Sequence, residues 1–106
     1  MRQVPCVAWS ESINGQFRAR LRGEVDLDRK EELRRLVTDY SGADAVDATV
    51  DLFDVTFMDS TGVGALVALA KVAQERQGVV TLVGLQPIVR RVLHVTSVES
   101  WFQLPG

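Results

Sequence analysis

The stretch TFMDSTGVGAL, Thr56 to Leu66, lies between an apolar strand-like run and an apolar helix-like run, and it places an acid, two adjacent hydroxyls and two glycines at the join. Upstream, DATVDLFDV is centred on Val50 and Leu52 and reads as a short interior strand, with Asp51 and Asp54 in loop and turn roles. Downstream, STGVGALVALAKVAQERQG carries Val63, Leu66, Val67 and Ala70 on one stripe of a helix, which Gly78 closes from the C′ position.

Further out, strands and helices keep alternating. VPCVAWS is β-prone, and Asn14-Gly15 after it is the strongest two-residue signal for a type I′ hairpin turn. In QFRARLRG, Phe17, Ala19 and Leu21 point one way and Arg18, Arg20 and Arg22 the other, which predicts a strand with one buried and one wet face ending at Gly23. The arginine stripe reads as a solvated face partly covered by acidic side chains. EVDLDRKEELRRLVTDY then starts a helix, with Asp28 and Glu31 spaced as a capping box and Leu33, Leu36, Val37 and Tyr40 on one buried face, up to Gly42. Toward the other end, VVTLVG is a continuous β-branched run, predicted as a strand buried on both faces. QPIVRRVLHV reads as a last helix with Pro87 at its first position and Ile88, Val92 and Leu93 toward the core. Trp9, Trp101 and Phe102 are expected to pack in the core or at its rim. The order is β-β-α-β-α-β-α: an α/β fold whose sheet is mostly parallel with an N-terminal antiparallel hairpin.

The composition sets the outer limits. The chain has 106 residues, 46% of them hydrophobic and 25% charged, which suits one compact domain with one core. The net charge of -2 supplies no broad cationic field, so nucleic acid is not expected as a partner. No apolar run has the length of a membrane span, and a membrane partner is not expected either. Cys6 is the single cysteine and there is no Cys/His cluster, so neither a disulfide nor a metal is expected, and a reducing cytoplasm is the natural setting.

Four chemistries compete for Ser60. A serine nucleophile needs a base within reach, and the only histidine is His94 on the last helix; the segment is also not G-x-S-x-G. A phosphate cradle is suggested by two glycines at a strand-to-helix junction, although neither a Walker A nor a G-x-G-x-x-G pattern is present. Asp59, Ser60 or Thr61 can also cap the helix, with Gly62 and Gly64 allowing close approach. Capping alone leaves the hydroxyl-rich cluster unexplained, along with Gly64, which costs about 1 kcal/mol against alanine inside a helix. The fourth possibility is that Ser60 itself receives a phosphate.

The ordered set of segments resembles the STAS domain, and specifically the free-standing bacterial anti-sigma factor antagonists. LRGEVDLDRKEELRRLV from Leu21, VDLFDVTFMDSTGVGAL from Val50 and GVVTLVGLQPIVRRVLHVTSVESWF from Gly78 carry the likeness over nearly the whole chain, so residues 1–106 are expected to form one STAS domain. The resemblance implies no catalytic residue and no cofactor in this chain. It implies that Ser60, the first hydroxyl of the D-S-[ST]-G element, accepts phosphate from an anti-sigma factor serine kinase whose ATP site belongs to that partner. It further implies that the unphosphorylated form binds the kinase and frees a sigma factor, and that a PP2C-type phosphatase restores that form. The expected binding surface comprises Ser60, Thr61, Gly62, Gly64 and the edge of their helix, Asp59, and the loop carrying Glu24, Asp26 and Asp28. For Asp26, a helix cap and a group that orients the hydroxyl or the nucleotide both remain open. An adaptor or scaffold role in a transport or sensory complex is the alternative within the fold. A nucleotide-binding or hydrolytic protein using Ser60 is the alternative outside it.

Overall fold

Asn14 and Gly15 take φ values of 53° and 78°, the paired positive angles that a type I′ turn demands and that right-twisted strands accept. The computed structural model describes residues 4–105, and this turn joins its first two strands, β1 (Val7–Ile13) and β2 (Gln16–Val25). There follow a short 3-10 turn (Leu27–Arg29), α1 (Lys30–Ser41), β3 (Asp47–Met58), α2 (Ser60–Glu75), β4 (Val80–Val83), α3 (Pro87–Val95) and a second 3-10 turn (Glu99–Trp101). The sheet order is β1-β2-β3-β4, with β1 antiparallel to β2 and the remaining pairs parallel. The element order and mixed sheet are those the sequence predicts.

One face of the sheet is buried. Phe17, Ala19, Leu21 and Val25 of β2, Ala48, Val50 and Leu52 of β3 and Leu82 of β4 join Leu33, Leu36 and Tyr40 of α1, Leu66 and Leu69 of α2, and Val89 and Leu93 of α3 in a single cluster. The other face is wet. There Arg20 donates from Nη2 to Asp51 Oδ2 at 3.0 Å and lies 3.8 Å from Asp54. These two acids are strand residues opposite arginines, not the loop and turn residues the sequence suggests, because parallel pairing with β2 extends β3 to Met58. Similarly β4 is buried on one face only; Thr81 and Val83 are half-buried on the open side.

Other boundaries also shift. Gly23 does not end β2. It takes φ 68°, pairs with Val55 and sits where the register slips before Glu24, so the strand bulges and runs on to Val25. After α2 the left-handed residue is Gln77, φ 58°, and not Gly78. Gly78 N–H reaches Ala73 O at 2.8 Å and Gln77 N–H reaches Gln74 O at 3.1 Å, which is a Schellman ending. Gly78 is needed for another reason: a Cβ there would lie 2.1 Å from Val46 O. In α3 the buried residues are Val89 and Leu93, four apart, with Val92 half-buried and Ile88 on the exposed flank. In the tail Phe102 packs inward while Trp101 stays at the rim. Gln103 pairs with the outer side of β4, its N–H to Val80 O and its C=O to Leu82 N–H, each at 2.9 Å.

Two side chains tie elements together. Arg76, at the end of α2, donates from Nη1 to Tyr40 O at 3.1 Å and Ala45 O at 2.7 Å, and from Nη2 to Ser41 O, and its guanidinium sits 5.1 Å from the Tyr40 ring centre. It thereby ties the last residues of α1 and the loop that follows to the end of α2. Glu32 of α1 accepts the N–H groups of Cys6 at 3.0 Å and Val7 at 2.6 Å, which fixes the start of β1.

Candidate functional site

Parallel pairing of β2 with β3 matches Val25 to Met58, so the two strands finish side by side and Asp26 and Asp59 follow them out of the sheet together. Each acid caps the helical turn that comes next. Asp26 is extended, and its Oδ1 accepts Asp28 N–H at 3.1 Å while its C=O accepts Arg29 N–H at 2.9 Å. The Asp28–Glu31 capping box therefore does not form: the 3-10 turn takes up residues 27–29, α1 begins at Lys30, and Asp26 is the cap. Asp28 is left exposed on that turn.

Asp59 does more. Its Oδ1 accepts the N–H groups of Thr61 at 2.8 Å and Gly62 at 3.3 Å, and its C=O accepts Val63 N–H at 3.0 Å. Its Oδ2 accepts Leu27 N–H at 3.3 Å, from the other loop. The cap of α2 is thus Asp59, and Ser60 is the first helical residue. Ser60 is exposed, and its hydroxyl makes no hydrogen bond among the described residues. Thr61 beside it is half-buried.

The two glycines part ways. Gly62 is buried, and a Cβ on it would lie 2.6 Å from Met58 Cγ and 2.8 Å from Val25 O. It allows the helix to start close over the strand ends, and of the residues expected at the binding surface it is the one that is buried. Gly64 is exposed with nothing within 4 Å of where a Cβ would stand. Glu24, on the last stretch of β2, is exposed at the same end of the sheet.

This geometry discriminates among the chemistries open to Ser60. A phosphate cradle needs unfilled amides at the helix start, yet those of Thr61, Gly62 and Val63 are all taken by Asp59. A hydrolase needs a base on the hydroxyl, yet His94 is exposed on α3 and pairs with Glu99 at 3.1 Å. Among the described residues no group of His, Cys, Asp and Glu could hold a metal, and no helix is long and apolar enough to cross a membrane. What remains is an unengaged alcohol on a rigidly capped turn, open to solvent.

Two features of this end escape the sequence reading. Leu27 is 64% exposed although apolar. The signal was its phase, since it falls outside the stripe formed by Leu33, Leu36 and Tyr40. The other is a shallow groove between α1 and α2 that reaches Thr61. It depends on how two helices pack, which one helix's periodicity does not encode.

Comparison with known proteins bears on the family and the fold. The family model described as STAS domain matches residues 11–105. An anti-sigma-B factor antagonist of Listeria monocytogenes is 27% identical over 82 residues, covering 77% of this chain and 72% of the relative. The anti-sigma factor antagonist SpoIIAA in its unphosphorylated form superposes with a TM-score of 0.72 at 21% identity, over 92% of this chain and 86% of that one. The Bacillus SpoIIAA in its phosphorylated form gives 0.71 at 21% identity, over 92% and 90%. These structures share the fold with this chain.

Proposed function

The chain belongs to the STAS domain family, and from that premise we propose that it is an anti-sigma factor antagonist switched at Ser60. In this reading the unphosphorylated protein binds an anti-sigma factor serine kinase in the cytoplasm and releases a sigma factor. The kinase transfers the γ-phosphoryl group of its own ATP to Ser60 Oγ, releasing ADP and a proton, and the product no longer binds. A PP2C-type phosphatase hydrolyses the ester and resets the switch. This chain, a single STAS domain over residues 1–106, is the substrate of both enzymes and catalyses neither step.

The observation that carries the reading is the exposed, unengaged Ser60 hydroxyl at the start of α2. The names of relatives such as the Listeria anti-sigma-B factor antagonist supply the partner class. Phosphorylation adds about -1.5 to -2 charges and three acceptor oxygens. A helix start ordinarily welcomes that charge, by about 0.3–1 kcal/mol. Here the nearest amides already serve Asp59, whose carboxylate stands next door, with Asp26 on the neighbouring strand end. The added charge therefore stays largely uncompensated and faces outward. A partner surface shaped for a neutral hydroxyl would have to bury it, and each 1.4 kcal/mol of that cost weakens binding about tenfold.

The test is phosphorylation by the purified kinase with ATP, located by mass spectrometry in the wild type and in Ser60→Ala. Phosphate on Ser60 alone is expected; phosphate that persists in the variant refutes the site. Ser60→Ala should keep affinity for the kinase and Ser60→Asp should lose it. Equal affinity of the two would remove the electrostatic account.

A further inference from the structure

The groove between α1 and α2 has a mostly apolar floor, with Leu33, Val37 and Thr38 on one side and Thr61, Ala65 and Ala68 on the other, the two threonines being its polar members. Lys30 and Arg34 stand on its α1 rim, and no acidic residue lines it. The opposite flank of α1 differs: there Asp28, Glu31, Glu32 and Asp39 line the depression against β1, together with Arg29 and Arg35. Lys30 makes no ion pair among the described residues. Arg34 lies 3.7 Å from Glu31 with both side chains well exposed, a contact of little energetic weight that a competing carboxylate can replace.

We propose that this groove docks an amphipathic helix of the anti-sigma partner, one whose apolar stripe is flanked by acidic residues that meet Lys30 and Arg34. The identity of the partner rests on the functional reading above; the chemistry of the occupant rests on the groove. From Thr61 to Ala68 the floor extends about 10 Å along α2, two helical turns, the length over which an i, i+3, i+4, i+7 set of anchors is presented. Gly64, spaced three from Thr61 and four from Ala68 on α2, has nothing within 4 Å of where a Cβ would stand and lets an occupant approach the α2 backbone. Reversing the charge of a rim cation sets like charges against the acidic flank, which both slows encounter and weakens binding.

The proposal also links the groove to the switch. Thr61 lines it and directly follows Ser60. A phosphate on Ser60, one residue before a residue that lines the groove, adds negative charge beside the place where an acidic flank has to dock, and repels it. Phosphorylation then acts on the charge of the docked segment as well as on the fit around the hydroxyl.

The test titrates each purified anti-sigma factor of the source organism with wild type, Lys30→Glu, Arg34→Glu and, as a charge control on the open sheet face, Arg18→Glu. Thermal melts verify that all four are folded. The two groove variants should bind at least about tenfold more weakly at low salt, with a deficit that narrows as salt rises, and Arg18→Glu should stay within about twofold. A benzophenone placed through Ala68→Cys then captures the occupant, since Cys6 is buried and its thiol is pushed up to about 12. Mass spectrometry of the joined peptide should return an acidic amphipathic segment. If wild type binds none of the anti-sigma factors, the functional reading falls and this inference with it. If binding is intact but unchanged in both groove variants, or the captured segment is basic or lacks helical periodicity, only the groove assignment falls.

Discussion

The carboxylate of Asp59 holds the backbone of Leu27, Oδ2 to N–H at 3.3 Å, while its other oxygen caps α2. One side chain therefore sets both the turn that presents Ser60 and the loop beside it. Removing it leaves amides of two loops unpaired at once. Asp59→Ala should cost about 1–2 kcal/mol in urea denaturation, the upper range for a lost cap. Hydrogen exchange at Leu27 should quicken along with that at Thr61. A variant as stable as the wild type, with exchange changed at Thr61 only, would show that the bridge carries no weight.

Two glycines two residues apart should respond in opposite directions. Gly62→Ala forces a methyl against Val25 O and Met58 Cγ, at 2.8 and 2.6 Å, and the backbone carbonyl cannot step aside. It should destabilise the fold by about 1–3 kcal/mol. Gly64→Ala meets nothing within 4 Å. It should gain up to about 1 kcal/mol from helix propensity. Chemical denaturation of both variants decides it, and the same sign for both would contradict the geometry.

Arg76 spans from α2 to the carbonyls ending α1 and stacks on Tyr40. Arg76→Ala should lower stability by about 2–3 kcal/mol, since each hydrogen bond to a charged group contributes about 1.5–3 and part is regained from water. Arg76→Lys should recover less than half of the loss, because an ammonium cannot reach several carbonyls as a planar fork does. Full recovery in the lysine variant would reduce the role of this residue to its charge.

Alkaline pH should weaken the fold through Cys6. Burial, and then the negative charge of Glu32, push its thiol up to about 12 from an ordinary 9.0. Between those values the unfolded chain releases a proton that the folded chain keeps, so raising pH favours unfolding. The thiol has no effect on stability below about pH 8, and stability falls from about pH 9 upward. Tyr40, raised mainly by burial, adds to the fall at higher pH. Urea midpoints between pH 8 and 11 should drop more steeply in wild type than in Cys6→Ala. Parallel curves would exclude the thiol as a source.

Local chemistry was legible in the sequence wherever one residue type decides the backbone. Asn14-Gly15 announced its turn, Pro87 its helix start, and the alternation from Phe17 to Arg22 its two faces. What the sequence left hidden depends on neighbours distant along the chain. Only pairing with β2 carries β3 on to Met58 and turns Asp51 and Asp54 into partners of Arg20. Spacing made Asp28 look like the cap, but the convergence of two strand ends gives that position to Asp26 and inserts a 3-10 turn. At the site, Ser60, Thr61 and Asp59 could be read from one short motif. Gly62 looked like surface because its neighbours are; only the strands beneath show that it is filler.

The pairing of Gln103 with β4 has an architectural consequence. Beside Val80 and Leu82 the outer edge of β4 is matched by the molecule's own chain, which takes up one carbonyl and one amide that would otherwise face outward. A strand adding edge to edge at that point would first have to displace Gln103.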